Sequence, residues 1–95
     1  MEITSVAHKG LRRFIEEGAA AGIPSASVAK IGAIISFLED APGIEAIVKL
    51  QIWKAHMLTG DRKGTWSLSV TKNWRITFEI SAANEIENLD LEDYH

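Results

Sequence analysis

Apolar residues recur every three or four positions through the first forty residues. From about residue 52 they alternate with polar ones every second position. The first period belongs to helices and the second to strands with one face buried. Leu11, Phe14 and Ile15 fall at helical spacing in a helix expected over His8 to Glu17, stopped by Gly18. Glu2 to Val6 fits a short first strand. Gly22-Ile23-Pro24-Ser25 reads as a turn, after which Ser25 or Ser27 is placed to cap a second helix running to about Asp40. Val28, Ile31, Ile35 and Leu38 form its buried stripe. Gly32, inside that helix, costs ~1 kcal/mol against alanine, which points to close packing on a neighbour. Ala41-Pro42-Gly43 ends the helix, and Ile44 to Gln51 fits either a loop or a short helical turn.

In the second half, Thr65 to Thr71 sets Trp66, Leu68 and Val70 on one face and Ser67 and Ser69 on the other. Trp74 to Ile80 repeats the pattern, with Trp74, Ile76, Phe78 and Ile80 inward and Arg75, Thr77 and Glu79 outward. Lys72-Asn73 between them suits a tight two-residue hairpin, asparagine tolerating positive φ. Lys54 to Leu58 reads as a strand entering the sheet, and Ser81 to Asn84 as the turn before a final strand, Glu85 to Leu91. There Ile86 is out of phase with Leu89 and Leu91, which predicts a bulge near Glu87 or Asn88. The pattern describes an α+β domain spanning residues 1–95, with two N-terminal helices packed on one face of a small antiparallel sheet. Arg75 then stands on the open face, a natural seat for an extended single-stranded ligand.

Charge adds a second layer. The net charge is −3 over 95 residues, yet Lys49 to Arg75 carries six basic side chains against Asp61 alone, while Ile76 to His95 carries six acids and no Lys or Arg. Two readings are open: cross-strand ion pairs between the two sets, or a basic segment that faces a polyanion. The absence of cysteine excludes disulfides, zinc–thiolate sites and thiol catalysis. No apolar run has membrane-spanning length and the N-terminus lacks the apolar block of a signal peptide, so the expected compartment is the cytoplasm.

The chain ends Glu92-Asp93-Tyr94-His95, the last three able to exchange or orient protons, directly after a strand. With Arg75, whose planar fork matches two phosphate oxygens, they point to phosphodiester chemistry. His56 offers an imidazole for proton transfer, against the commoner role of a surface or packing histidine. Arg75 is equally suited to a salt bridge with an acid of the final strand. Lys54, Arg62 and Lys63 are placed to touch a backbone phosphate, the last two in a Gly60–Gly64 loop that lacks P-loop spacing. Trp66 and Trp74 sit on the apolar parity and are expected in the core. His8 opens the first helix and is expected to be structural or exposed. Three histidines at positions 8, 56 and 95 do not describe a metal site, and neither metal nor cofactor is expected.

Taken together, His8-Lys9-Gly10-Leu11, His56, Leu58, Gly60-Asp61-Arg62, Gly64, Trp66-Ser67, Val70, Asn73-Trp74-Arg75-Ile76-Thr77-Phe78 and the terminal Glu92-Asp93-Tyr94-His95 resemble the HigB toxins. These toxins, also called plasmid-maintenance killer proteins, belong to the RelE/ParE superfamily of bacterial toxin–antitoxin pairs. The resemblance runs along nearly the whole chain and implies a RelE-like fold and a metal-independent mRNA interferase that cuts messenger RNA in the ribosomal A site. It implies a helix-turn-helix antitoxin of the HigA type, through which alone the toxin meets DNA. By the same resemblance His56 and His95 are the proton-transfer groups, Arg75 meets charge on the phosphate, and Asp93 and Tyr94 position the terminal histidine and the RNA. The chain departs from the family at Thr59, where members often carry a lysine, and in its acidic net charge. Two other readings stay open: a toxin of the same fold that acts by contact, for instance on gyrase, and a decayed toxin that serves mainly as an antitoxin partner.

Overall fold

Helix α1 (Lys9–Glu17) is fastened at both ends by the residues the sequence places there. The computed structural model describes residues 1–94. His8 is the N-cap, its Nδ1 accepting the Leu11 N–H at 2.9 Å, so this histidine is structural as expected. Gly18 adopts φ +72° and returns its N–H to the Phe14 carbonyl. Helix α2 (Val28–Asp40) buries Ile31, Ile34, Ile35 and Leu38. Ser27, one of the two serines expected there, occupies its N-cap position but makes no side-chain capping bond, and a 3-10 turn over Ser25–Ser27 leads in. Ile44–Leu50 forms a third helix, α3, where the sequence left loop and helical turn open; Ile47 is its buried anchor. Among the described residues three helices therefore stand where two were expected.

Among the described residues four strands, β1 (His56–Met57), β2 (Trp66–Ser69), β3 (Trp74–Ile80) and β4 (Ile86–Asp93), pair antiparallel in chain order. β1 is shorter than the expected strand over Lys54–Leu58. The N-terminal segment runs parallel along the free side of β4, as two bridges, Ile3 to Ile86 and Val6 to Leu89. Between β2 and β3 the tight two-residue hairpin is replaced by a wider loop. Val70 and Thr71 both donate to the Trp74 carbonyl, and the Thr71 hydroxyl accepts the N–H groups of Asn73 and Trp74. A threonine hydroxyl thus does locally what positive φ at asparagine was expected to do; positive φ falls instead at Gln51, Lys54, Asn84 and Asn88.

The expected bulge is present. Glu79 pairs with Glu87 and Thr77 with Asp90, so Phe78 faces two residues, Asn88 and Leu89, and Asn88 takes φ +52°. Ile86, Leu89 and Leu91 all reach the core beside Leu68, Ile76 and Phe78 from the sheet and Leu11, Ile31, Ile34, Leu38 and Ile47 from the helices. Trp66 and Trp74 pack partly buried against this core, and Trp53 is buried edge-on to Phe37 at 5.4 Å. No helix among the described residues is long and apolar enough to cross a membrane.

Two glycines are expected to respond in opposite senses. A Cβ on Gly10 would lie 2.2 Å from the Gly22 carbonyl oxygen, a backbone atom that cannot swing aside, so Gly10→Ala should cost about 1–3 kcal/mol. A Cβ on Gly32 would meet only Phe14, at 3.6 Å, so Gly32→Ala should gain up to ~1 kcal/mol. Urea denaturation of both variants checks the pair, and a stabilised Gly10→Ala would contradict the packing.

Candidate active site

Register gathers the outward side chains into rows. His56, Ser67, Thr77 and Asp90 face one another across the four strands, and Ser69, Arg75 and Glu92 form the adjacent row. From strand spacing and rise, the His56 and Arg75 Cα atoms are about 12 Å apart. Two such side chains can address one small group from either side. Ser67 and Thr77 are each only 1% exposed, so the sheet face expected to be open is partly roofed by its own polar side chains.

The roof is built on Glu92. Arg62 reaches from the 3-10 turn Gly60–Arg62 and donates Nη1 and Nη2 to both Glu92 carboxylate oxygens, at 2.8 and 2.6 Å. Arg75 donates Nε at 3.1 Å, with Nη2 at 3.0 Å, and Thr77 donates its hydroxyl at 2.8 Å. Hydrogen bonding from Arg62, with further bonds from Thr77 and Arg75, outweighs burial and holds the Glu92 carboxyl at about 2. The same contact raises the Arg62 guanidinium above its ordinary value. Of the two readings open for Arg75, the salt bridge to the final strand is present, and Arg62, read as an RNA contact, is engaged with the same carboxylate. Glu92 grips Arg75 along one edge, turning Nη1 away from the carboxylate. The guanidinium carbon lies 4.9 Å from the Tyr94 ring centroid.

His56 is exposed, and its Nδ1 lies 2.9 Å from the Lys54 carbonyl. A carbonyl oxygen only accepts, so this bond places the proton on Nδ1, and the neutral ring carries its lone pair on Nε2. Lys54 adopts φ +52°, and its N–H bonds the Gln51 carbonyl, a turn that aims its own carbonyl at the histidine.

Tyr94 donates its N–H to the Asn73 carbonyl at 3.0 Å, and its hydroxyl lies 3.4 Å from the Thr71 carbonyl, so the β3–β4 ladder holds the chain close to its end. Asp93 is exposed and in register with Trp74, which by alternation sets it on the other face from Arg75 and Glu92. Lys63 is exposed beside the 3-10 turn. His95 lies outside the described residues. The structure thus brings His56, Arg75 and Tyr94 to one face. It adds Glu92 and Thr77, which the sequence reading had not assigned to the site. Their signal was the predicted bulge, which changes the residue opposite Arg75 from Leu91 to Glu92. Among the described residues no three His, Asp or Glu side chains cluster as a metal would require.

Residues 4–95 match the family described as the RelE-like toxin of the type II toxin–antitoxin system HigB. The chain is 40% identical over 93 residues to Endoribonuclease HigB of Proteus vulgaris, covering 98% of this chain and 99% of that protein. Among solved structures it resembles a YoeB/ParE toxin from Agrobacterium tumefaciens, with TM-score 0.64, 18% identity and full coverage of both chains. It also resembles YafQ from E. coli, with TM-score 0.60 and 11% identity over 98% of this chain and 93% of that one. These last two likenesses concern the fold.

Acid should loosen the Glu92 cluster. Glu92 binds its proton more weakly in the folded than in the unfolded chain, so its contribution to stability is full above the ordinary carboxylate range. That contribution fades as pH falls toward about 2. Glu92→Gln should therefore lower the melting temperature at neutral pH and flatten its fall between about pH 5 and about pH 2. Parallel acid profiles for the two proteins would contradict this.

Proposed function

Because this chain belongs to the HigB-like family of RelE-like toxins from type II toxin–antitoxin systems, we propose that it is an endoribonuclease. It cuts messenger RNA in the A site of the translating ribosome. Residues 1–95 act as one toxin domain in the cytoplasm. Its partner is an antitoxin, which we take to be of the helix-turn-helix HigA type, the toxin meeting DNA only through it.

The observation that carries the chemistry is the placement of His56, Arg75 and Tyr94 on one sheet face, with His56 Nε2 as the free acceptor. His56 Nε2 takes the proton of the 2′-hydroxyl at the cut site. The 2′-oxygen attacks the adjacent phosphorus, the bond from phosphorus to the 5′-oxygen breaks, and the products are a 2′,3′-cyclic phosphate and a 5′-hydroxyl. The 5′-oxygen needs a proton as it leaves, and His95 is the candidate acid, on the family resemblance alone. Arg75 meets the charge gathering on the non-bridging oxygens, and Glu92 positions it by gripping the guanidinium edge opposite Nη1. Tyr94 orients the RNA beside Arg75, and Asp93, on the other face, orients the chain end. No step in this scheme calls for a metal or cofactor.

Arg75→Ala should reduce cleavage about 100- to 1,000-fold, the usual cost of losing one preorganised charge donor. His56→Ala should cost about 100- to 10,000-fold, the range for a general base. Primer extension on a defined message in a translating extract reads both, with a ribosome-free control. Full cleavage by both variants would contradict the site. An uncut message with wild-type protein, accompanied by inhibited DNA supercoiling, would replace the endonuclease with a contact toxin.

A further inference from the structure

Four of the six basic side chains of the middle segment fall into two groups. Arg62 and Arg75 are spent on Glu92, whereas Lys54 and Lys72 line a different feature, a surface groove of about 390 Å³ that they share with Lys30 of α2. All three lysines are exposed, and they come from three separate elements: a helix, the turn before β1 and the β2–β3 loop. Ser69, Thr71 and Tyr94 complete the polar lining, and among the described residues no acidic side chain belongs to it. This contrasts with the neighbouring hollow on the sheet face, where Glu79, Asp90 and Glu92 gather.

The groove is joined to the candidate active site at two points. Tyr94 lines it and carries the Arg75 guanidinium over its ring. Lys54 lines it and offers its carbonyl to His56 Nδ1. A polymer leaving the space between His56 and Arg75 meets this groove on one side and the carboxylates on the other. Closely spaced cations with an aromatic ring and short hydroxyls are what a single nucleic-acid strand uses, phosphates on the cations and a base on the ring. The volume lies within the ~300–1,000 Å³ typical of ligand clefts.

We propose that the Lys30–Lys54–Lys72 groove binds the sugar–phosphate backbone of single-stranded RNA next to the cut, with Tyr94 stacking on a base. This rests on the endoribonuclease reading and names the path of its substrate. It also supplies basic contacts on a chain that is acidic overall.

The test is fluorescence anisotropy with a 2′-O-methylated single-stranded RNA oligonucleotide, which offers no attacking hydroxyl, over a range of salt concentrations. Each phosphate neutralised on a single strand contributes about 0.7 to the log–log salt slope through released counterions, so Lys30→Gln/Lys54→Gln/Lys72→Gln should reduce the slope by about 2. It should also bind at least about tenfold more weakly at low salt. The charge-matched Lys9→Gln/Arg12→Gln/Lys49→Gln variant, altered outside the groove, should keep the wild-type slope. Circular dichroism melts confirm that both variants fold. An unchanged slope in the groove variant, an equal drop in the control, or no binding by wild type overturns the assignment. Retained RNA binding with lost antitoxin binding also overturns it and gives the groove to the protein partner. Cleavage of unmodified message by wild type, measured alongside, keeps the two proposals apart: cleavage with an unchanged slope sinks the groove alone, and a reduced slope without wild-type cleavage sinks the endonuclease alone.

Discussion

One extra residue in β4 decides which side chains the sheet shows to each face. Side chains alternate along a strand, so a strict ladder from Ile86 would send residues 88, 90 and 92 into the core and expose Leu89 and Leu91. Asn88 absorbs the extra position at φ +52°, held by the Ser5 hydroxyl on its N–H and by its own amide on Glu79. Beyond it the parity is reversed. Leu89 and Leu91 join Ile86 in the core, and Glu92 turns outward beneath Arg75 and Arg62. Packing and site geometry therefore share one backbone feature. The apolar demand of Leu89 and Leu91 fixes the register that puts Glu92 and Tyr94 beside Arg75.

The polar face shows how a chain of negative net charge can still present cations to RNA. A carboxylate shared by two guanidiniums leaves the three groups with a net positive charge and gives Arg75 a fixed orientation, so little is lost in ordering it when a phosphate arrives. Two further acids, Glu79 of β3 and Asp90 of β4, line the hollow on the far side of Glu92. The lysines stand away from them, around Tyr94. Local separation of sign along the sheet steers a polyanion more than the sum of charges does.

Much of this was legible in the sequence because it rests on period. Alternation in Thr65–Thr71 and Trp74–Ile80 placed the buried residues of β2 and β3 and turned Arg75 outward, and the phase slip after Ile86 announced the bulge. The third helix was left open because Ile44–Leu50 is two turns long, too short for period to separate a helix from a loop. The β2–β3 loop was misread because Lys72-Asn73 satisfies a turn rule, while the bonds that decide it come from the Thr71 hydroxyl three residues before Trp74. Arg62 was read as free to meet RNA because nothing local in the chain reveals that a turn thirty residues away reaches Glu92. Long-range polar contacts of this kind follow from register and loop geometry, which composition does not encode.

The most direct measurement is the chemical identity of the RNA ends left after cutting, read by mass spectrometry on message from translating extract. Attack by the 2′-hydroxyl, with its proton taken at His56 and the phosphate charge met by Arg75, leaves a 2′,3′-cyclic phosphate or its 3′-phosphate hydrolysis product opposite a 5′-hydroxyl. A 3′-hydroxyl opposite a 5′-phosphate would mean that water attacked instead, and would contradict the roles given to His56 and Arg75.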